Sequence, residues 1–334
     1  MATFMDTHLI YNVHPPDGKL NGVAVNANSP GIAPFAFHAQ HGSTRKAIQE
    51  ADVTGFAECT KQVGVHVHNA KLSDDPPNLE THGFELIKDR LHADFRGHEH
   101  AWLRDDDHIA NVHYRAAEAF ARARFPDATA AFGFNHVRRI SRQTEALKKR
   151  ARHAAGLSAP SYMVHTDSTS ESWLHNIPSL VARDAFDAEG PTHLSADQGK
   201  VLAAADRVVV LNLWRLVTNF GQASPTHLAM CDMRSVDMAT ALPYHFLVDG
   251  CVGFNYGLPA SRAPEHKWSY FPNLAADEVV VFKAYDSRGS SDAQGPGWCF
   301  HAAVDDPSAP DDCAPRESVE VRVALAFAAT PADE

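Results

Sequence analysis

The sequence has no stretch approaching the roughly 18 consecutive apolar residues that a membrane-spanning helix needs. The opening MATFMDTHLIYNVHPPDGK has no basic region followed by an apolar one, so a secretory leader is not expected and a cytoplasmic protein is. An excess of positive charge is missing as well. The formal net charge is -11, which leaves no electrostatic footprint for a nucleic-acid binder or for a protein docking on an anionic membrane, and directs attention to small-molecule partners. The five cysteines form no C-x-x-C pair, and an odd number scattered through a long chain argues for reduced thiols rather than a disulfide framework. Internal repeats and low-complexity tracts are also lacking. What remains, 44% hydrophobic and 21% charged over 334 residues, is the composition of a globular chain with ample core.

The order of elements points to a mainly β fold with helical additions in a single domain. Residues 1–155 read as a mixed wrapping region, rich in Pro, Gly, Asn and His at its start, with short strand-like pieces such as QVGVHVHNA. Within it, DHIANVHYRAAEAFARAR predicts an amphipathic helix over about 107–124, with Ile109, Val112, Ala116 and Phe120 at helical spacing and Phe125-Pro126 after it. AAFGFNHVRRI (130–140) alternates like a strand, and RQTEALKKRARHAAG after it reads as a solvated basic helix or loop. From residue 156 to 330 the texture becomes a series of about eight short β-rich runs separated by turn residues, from SYMVHTD to ESVEVRVALAF, which suits a sandwich or barrel. Helical pieces are expected around SESWLHNIPSLVARDAF and SADQGKVLAAAD.

Among 21 histidines most lie in polar segments and identify no ligand by abundance. His165 and Asp167 differ: they are two apart at the end of an apolar run, so on a strand both side chains leave the same face. The late strand GWCFHAAV offers His301 flanked by apolar residues. Two imidazoles and one carboxylate make the facial triad of non-haem Fe(II) oxygenases, which leaves metal positions open for cosubstrate and O₂. The strand that follows, PRESVEVRVALAF, places Val319, Val321, Val323, Leu325 and Phe327 on one face and Arg316, Ser318, Glu320 and Arg322 on the other. Such a polar face suits a dianion, because Arg offers a bidentate fork and Ser a hydroxyl donor. Arg316 with Ser318 is the expected clamp for the distal carboxylate of 2-oxoglutarate. Arg322 is the alternative cation; Arg316 is preferred because it stands at the strand start with Ser318 as its partner.

Taken in order, the blocks HGF (82–84), FNHVRR (134–139), VHTDST (164–169), LNLWRLV (211–217), LAMCDMRSV (228–236), HKWSYFPNLAADEVVVFKAYDS (266–287), FHAAVDDPSAP (300–310) and PRESVEVRVALAF (315–327) resemble a fungal and bacterial hydroxylase/desaturase family. That family includes gibberellin desaturase-like proteins, AsaB-type enzymes and the cephalosporin 7-alpha-hydroxylase component. The resemblance implies a double-stranded β-helix (jelly-roll) core, use of Fe(II) and 2-oxoglutarate with O₂, and oxidation of a small organic molecule in specialised metabolism. Hydroxylation, desaturation and ring formation are all consistent with it. This chain has Trp214-Arg215-Leu216 where the family pattern leads one to expect Trp-Arg-Pro.

Four further residues are candidates for substrate contact: Asn212 and Arg215 on the strand after the metal motif, and His136 and Arg138 on one face of FNHVRR. Lys283, inside the apolar run VVVFKAYDS, reads as a paired structural lysine, and Asp286-Ser287 as a turn. Two other functions stay open: an iron oxidase that works without 2-oxoglutarate, with Arg316 on the substrate's own carboxylate, and an inactive jelly-roll binding protein.

Overall fold

The computed structural model describes residues 3–13, 22–24, 60–89, 106–141, 157–170, 194–248, 251–289 and 295–328. The expected basic helix or loop at 142–156 lies outside them, as does the helical piece after Ser170.

A six-stranded sheet carries one wall of the protein. Its order is β4 (Phe84–Lys88), β12 (Glu278–Asp286), β7 (Arg207–Leu216), β14 (Glu317–Phe327), β5 (Ala130–Ile140) and β6 (Leu157–Ser158), antiparallel except for the last pair. The period-2 pattern of β14 determines which side faces what. Val319, Val321, Val323, Leu325 and Phe327 all enter an apolar layer with Val209, Leu211, Leu213, Val279 and Val281, beneath α1 (Tyr114–Arg124). The opposite face carries Ser318, Glu320 and Arg322. A slip of one residue would drive those charges into the apolar layer, so the register is strongly specified.

The helix expected at 107–124 is present with a change of phase. Asp106–His108 leads into a π-helical turn, Ile109–His113, before α1 begins. The wider turn inserts about one extra residue. The buried stripe therefore passes from Ile109 to His113, Ala117 and Ala121 instead of Val112, Ala116 and Phe120. Gly133 of β5 permits the close approach of this helix, since a Cβ there would lie 2.6 Å from Tyr114 Cβ.

A second sheet is built from β1 (Phe4–Asn12), β3 (Thr60–Asn69), β11 (Trp268–Tyr270), β8 (Thr226–Cys231) and β13 (His301–Asp305), in that order. Its two edges meet across residues 163–165: Met163 bridges Ile10 of β1, and His165 bridges His301 of β13. The nearly closed sheet encloses Met5, Leu9, Val67, Trp268, Phe300 and Val304, among others. SYMVHTD, read as a strand from sequence, is thus a connecting segment with two isolated bridges. A third, three-stranded sheet has the order β10 (Cys251–Gly257), β9 (Leu242–Val248), β2 (Gly22–Ala24). The helix expected in SADQGKVLAAAD is α2 (Ala196–Ala203), opened by a capping box in which Ser195 and Gln198 satisfy each other's backbone amides. β1, β3, β4 and β5, all from before residue 155, are strands of the two large sheets rather than coverings laid over them.

Lys283 is fully buried and its Nζ lies 3.3 Å from Asp286 Oδ2, while Arg207 grips the same carboxylate through two hydrogen bonds of 2.9 and 2.6 Å. The turn reading also holds: Asp286 Oδ1 accepts from Arg288 N and Ser287 Oγ from Val208 N. Burial alone would raise the Asp286 carboxyl, but Arg207 and Lys283 outweigh it and the net shift is downward. Its stabilising contribution is therefore complete above the ordinary aspartate range and is lost as pH falls through the lower folded value. Asp286→Asn is expected to cost about 3–5 kcal/mol at neutral pH. In urea melts across pH, that gap between wild type and variant should narrow below about pH 4.

Candidate metal centre and cosubstrate clamp

His165 and His301 face each other as a hydrogen-bonded antiparallel pair, with His165 N donating to His301 O (3.1 Å) and His301 N to His165 O (2.9 Å). Residues paired this way send their side chains to the same side. The two rings lie 4.3 Å apart, between the sheets. Each Nδ1 is tied to a backbone carbonyl, His165 to Met163 O (2.6 Å) and His301 to Cys299 O (3.0 Å). A carbonyl only accepts, so Nδ1 carries the proton and Nε2 presents its lone pair. Phe282, 4.6 Å from the His301 ring, packs against it.

Asp167 joins them by a route that strand alternation does not provide. Its φ is +69°, a left-handed conformation that Asp tolerates better than most residues, and the chain turns back immediately after His165. Thr166 Oγ1 donates to Ser168 O (2.6 Å) and Ser168 Oγ to Ala284 O (2.6 Å), which pins this turn to β12. Asp167 Oδ1 ends 3.2 Å from His165 Nε2 and Oδ2 3.7 Å from His301 Nε2. One ligand atom from each of the three residues falls within 4.8 Å of the others, and all three residues are buried. Burial pushes the His301 imidazole down to about 3, with the His165 ring adding to the effect, which keeps it neutral. Burial works the other way on Asp167, but Arg322 and His301 more than offset it and hold the carboxyl well below its usual range. A neutral His301 imidazole and an ionised Asp167 carboxylate are protonation states that a divalent cation requires of its ligands.

Arg316 and Ser318 occupy the other end of the polar face of β14. The Arg316 backbone is fixed by Ser141, whose Oγ accepts from Arg316 N (2.8 Å) and whose N donates to Arg316 O (2.9 Å). Its guanidinium lies 5.4 Å from the centre of the Trp214 ring. Nε and Nη1 of Arg316 and Oγ of Ser318 are buried with no hydrogen-bond partner among the described residues. A cleft of about 340 Å³, open mouth included, lies against the Arg316 end, lined also by Trp214, Leu216, Thr226, Leu228 and Val280. A buried cation with idle donors is costly unless an anion completes it. Arg322, the alternative clamp, is engaged instead: it donates to Asn135 Oδ1 (2.6 Å) and Asp167 Oδ2 (3.1 Å) and lies 2.6 Å from Glu320. Burial lifts the Glu320 carboxyl above its ordinary range although Arg322 pulls against it.

The four residues proposed for substrate contact divide. Asn212 is in the site, with Nδ2 donating to Asp167 Oδ2 at 2.6 Å. Arg215 is on the opposite face of β7, paired with Asp89 at 2.8 Å. His136 and Arg138 also turn away, since they pair with Val321 and Val319, whose side chains enter the apolar layer, and His136 Nδ1 meets Tyr114 OH at 3.0 Å. The cause is a bulge: Arg322 pairs with Asn135 and Val323 with Gly133, so Phe134 is an extra residue that reverses the alternation of β5. Asn135 and Arg139, rather than His136 and Arg138, therefore share the face of Arg322 and Ser318. Sequence reading missed Asn135; only its place one residue off the expected face marks it.

A family model described as "Oxidoreductase/YMDC permease-like domain" matches residues 28–327. The chain belongs to this oxidoreductase family. Its matched relatives include a protein named Fe(II)/2-oxoglutarate-dependent dioxygenase nvfI from Aspergillus novofumigatus, 25% identical over 77% of this chain and 81% of the relative. Another, hydroxylase/desaturase efuI from Hormonema carpetanum, is 29% identical over 49% of this chain and 51% of its own length. Aspirochlorine biosynthesis protein N from Aspergillus oryzae is 26% identical over 51% of this chain and 70% of its own. A solved structure of the iron and alpha-ketoglutarate-dependent endoperoxidase NvfI superposes with a TM-score of 0.65 at 19% identity, covering 98% of this chain and 99% of that one. The jelly-roll core expected from sequence is thus the fold observed. Two of these relatives and the solved structure carry the names of iron and 2-oxoglutarate-dependent enzymes or of a hydroxylase/desaturase, and among the described residues of this chain no helix is long and apolar enough to cross a membrane.

Because Arg215 is held by Asp89 on the far face of β7, Arg215→Ala is expected to lower stability by about 3 kcal/mol. Affinity for 2-oxoglutarate, measured by calorimetry on the metal-loaded protein, should stay within twofold of wild type, on the order expected for a residue outside the site.

Proposed function

We propose that His165, Asp167 and His301 hold the Fe(II), that Arg316 and Ser318 hold the distal carboxylate of 2-oxoglutarate, and that the enzyme oxidises a small organic molecule in specialised metabolism. The observation that carries this reading is the buried Arg316 guanidinium, whose Nε and Nη1, like the Ser318 hydroxyl, have no partner among the described residues, on the strand that also supplies the support for Asp167. The donor set fits the metal: two Nε2 lone pairs and one carboxylate suit non-haem Fe(II) and leave positions for cosubstrate and O₂. When bound, iron with 2-oxoglutarate and O₂ supplies the oxidising equivalent that removes hydrogen from an unactivated C–H bond, with succinate and CO₂ as coproducts.

The protein's own contribution is positioning. The Met163 and Cys299 carbonyls fix both imidazole tautomers. Arg316 offers its fork to a carboxylate, and the planar Trp214 ring beside the guanidinium limits its rotation. Val280, Phe282 and Leu228 line the surrounding walls with apolar surface, which keeps water from competing with these polar contacts. We place the enzyme in the cytoplasm, a reading supported by Cys231 and Cys299, both free and buried.

Anaerobic addition of Fe(II) and then 2-oxoglutarate is expected to give the visible charge-transfer band of the chelate. His165→Ala should abolish the band, and Arg316→Ala should raise the 2-oxoglutarate concentration for half-saturation by about 100-fold or more, the loss of a charge-assisted bidentate contact. Turnover of a substrate without succinate would remove 2-oxoglutarate from the account.

A further inference from the structure

None of the three ligands comes from the six-stranded sheet, yet one row of that sheet is built against Asp167. The strand registers align Phe282, Asn212, Arg322 and Asn135 side by side across β12, β7, β14 and β5. Phe282 meets the His301 ring, while Asn212 and Arg322 both donate to Asp167, and to the same oxygen, Oδ2, at 2.6 and 3.1 Å. A carboxylate oxygen has two lone pairs in its plane. Two donors occupy both, which leaves Oδ1, the oxygen 3.2 Å from His165 Nε2, with its lone pairs directed elsewhere. Arg322 is itself held on either side, by Asn135 Oδ1 at 2.6 Å and by the Glu320 carboxylate at 2.6 Å.

We propose that this row, with Arg322 and Asn212 as positioning residues and Asn135 and Glu320 bracing Arg322, forces Asp167 to bind the metal through Oδ1 alone. The consequence is the number of open positions. A one-oxygen Asp167 with two imidazoles leaves three positions of an octahedral ion, enough for a chelating cosubstrate and a further small ligand; a two-oxygen Asp167 leaves only two, which the cosubstrate would fill. The inference rests on the metal reading given above and assigns roles to residues that touch neither the metal nor the cosubstrate in that reading.

The test counts exchangeable water on Mn(II) bound to the protein, by water-proton relaxation, before and after saturation with 2-oxoglutarate. Wild type should lose part of the relaxation enhancement on adding 2-oxoglutarate and keep the share of one water. In Asn212→Ala, Oδ2 loses the shorter of its two hydrogen bonds and one lone pair becomes available to the metal, so the Mn(II) enhancement should fall by roughly one third, then vanish with 2-oxoglutarate. Arg322→Gln alone would leave Glu320 buried without its cation, so it is measured as the Glu320→Gln/Arg322→Gln pair, with thermal unfolding as the check that each variant is folded. Wild-type enhancement with and without 2-oxoglutarate in folded Asn212→Ala and in the folded pair would overturn the inference. If wild-type protein gave no Mn(II) enhancement, or none that 2-oxoglutarate changed, the metal reading itself would fail instead.

Discussion

Two backbone hydrogen bonds, between His165 and His301, carry the architecture of the site. They close the five-stranded sheet on the segment that precedes Asp167, and the same pairing places two imidazoles side by side on the surface that faces Phe282 of the six-stranded sheet. Fold closure and the placement of the two histidines are thus one interaction. If that seam opened, the sheet would expose an unpaired edge at β13 and the two rings would lose their common plane of support. The Met163 and Cys299 carbonyls, each two residues before its histidine, repeat the arrangement: the strand backbone that delivers the ring also fixes its tautomer.

The opposite wall divides its work along the length of β14. At one end Arg316 and Ser318 stand with donors that have no partner among the described residues; at the other, both terminal nitrogens of Arg322 are engaged, with Asn135 on one side and Asp167 and Glu320 on the other. The two arginines share a face and a strand, and their neighbours distinguish them. A guanidinium that already satisfies two acids is a poor receptor for a third anion, whereas one packed beside an aromatic ring with idle donors is an incomplete site. Glu320 between them prevents the face from becoming uniformly cationic.

Much of this was legible in the sequence because β14 alternates without interruption. Its apolar and polar faces, the order His-x-Asp, distal His, Arg-x-Ser, and the mainly β texture after residue 156 all correspond to observed features. The failures have local causes. His136 and Arg138 do share one face of FNHVRR, but a bulge at Phe134, which leaves no mark in composition, turns that face toward the apolar layer. Asp167 lies beside the histidines as expected, but it gets there through a left-handed backbone conformation rather than through strand alternation. Arg215 lies one residue from Trp214 on the opposite face of β7, and its partner Asp89 is too distant in sequence to be foreseen. The π-turn at Ile109–His113 shifted a helical stripe in the same way, by one residue.

The central claim, that one buried seam of histidines and one unpartnered arginine hold the metal and its cosubstrate, is tested most directly by an anaerobic crystal structure of the protein with Mn(II) and 2-oxoglutarate. The account predicts an anomalous peak bonded to His165 Nε2, His301 Nε2 and Asp167, with the distal carboxylate on Arg316 and Ser318. A metal bound elsewhere, or a 2-oxoglutarate whose distal carboxylate rests on Arg322, would contradict it.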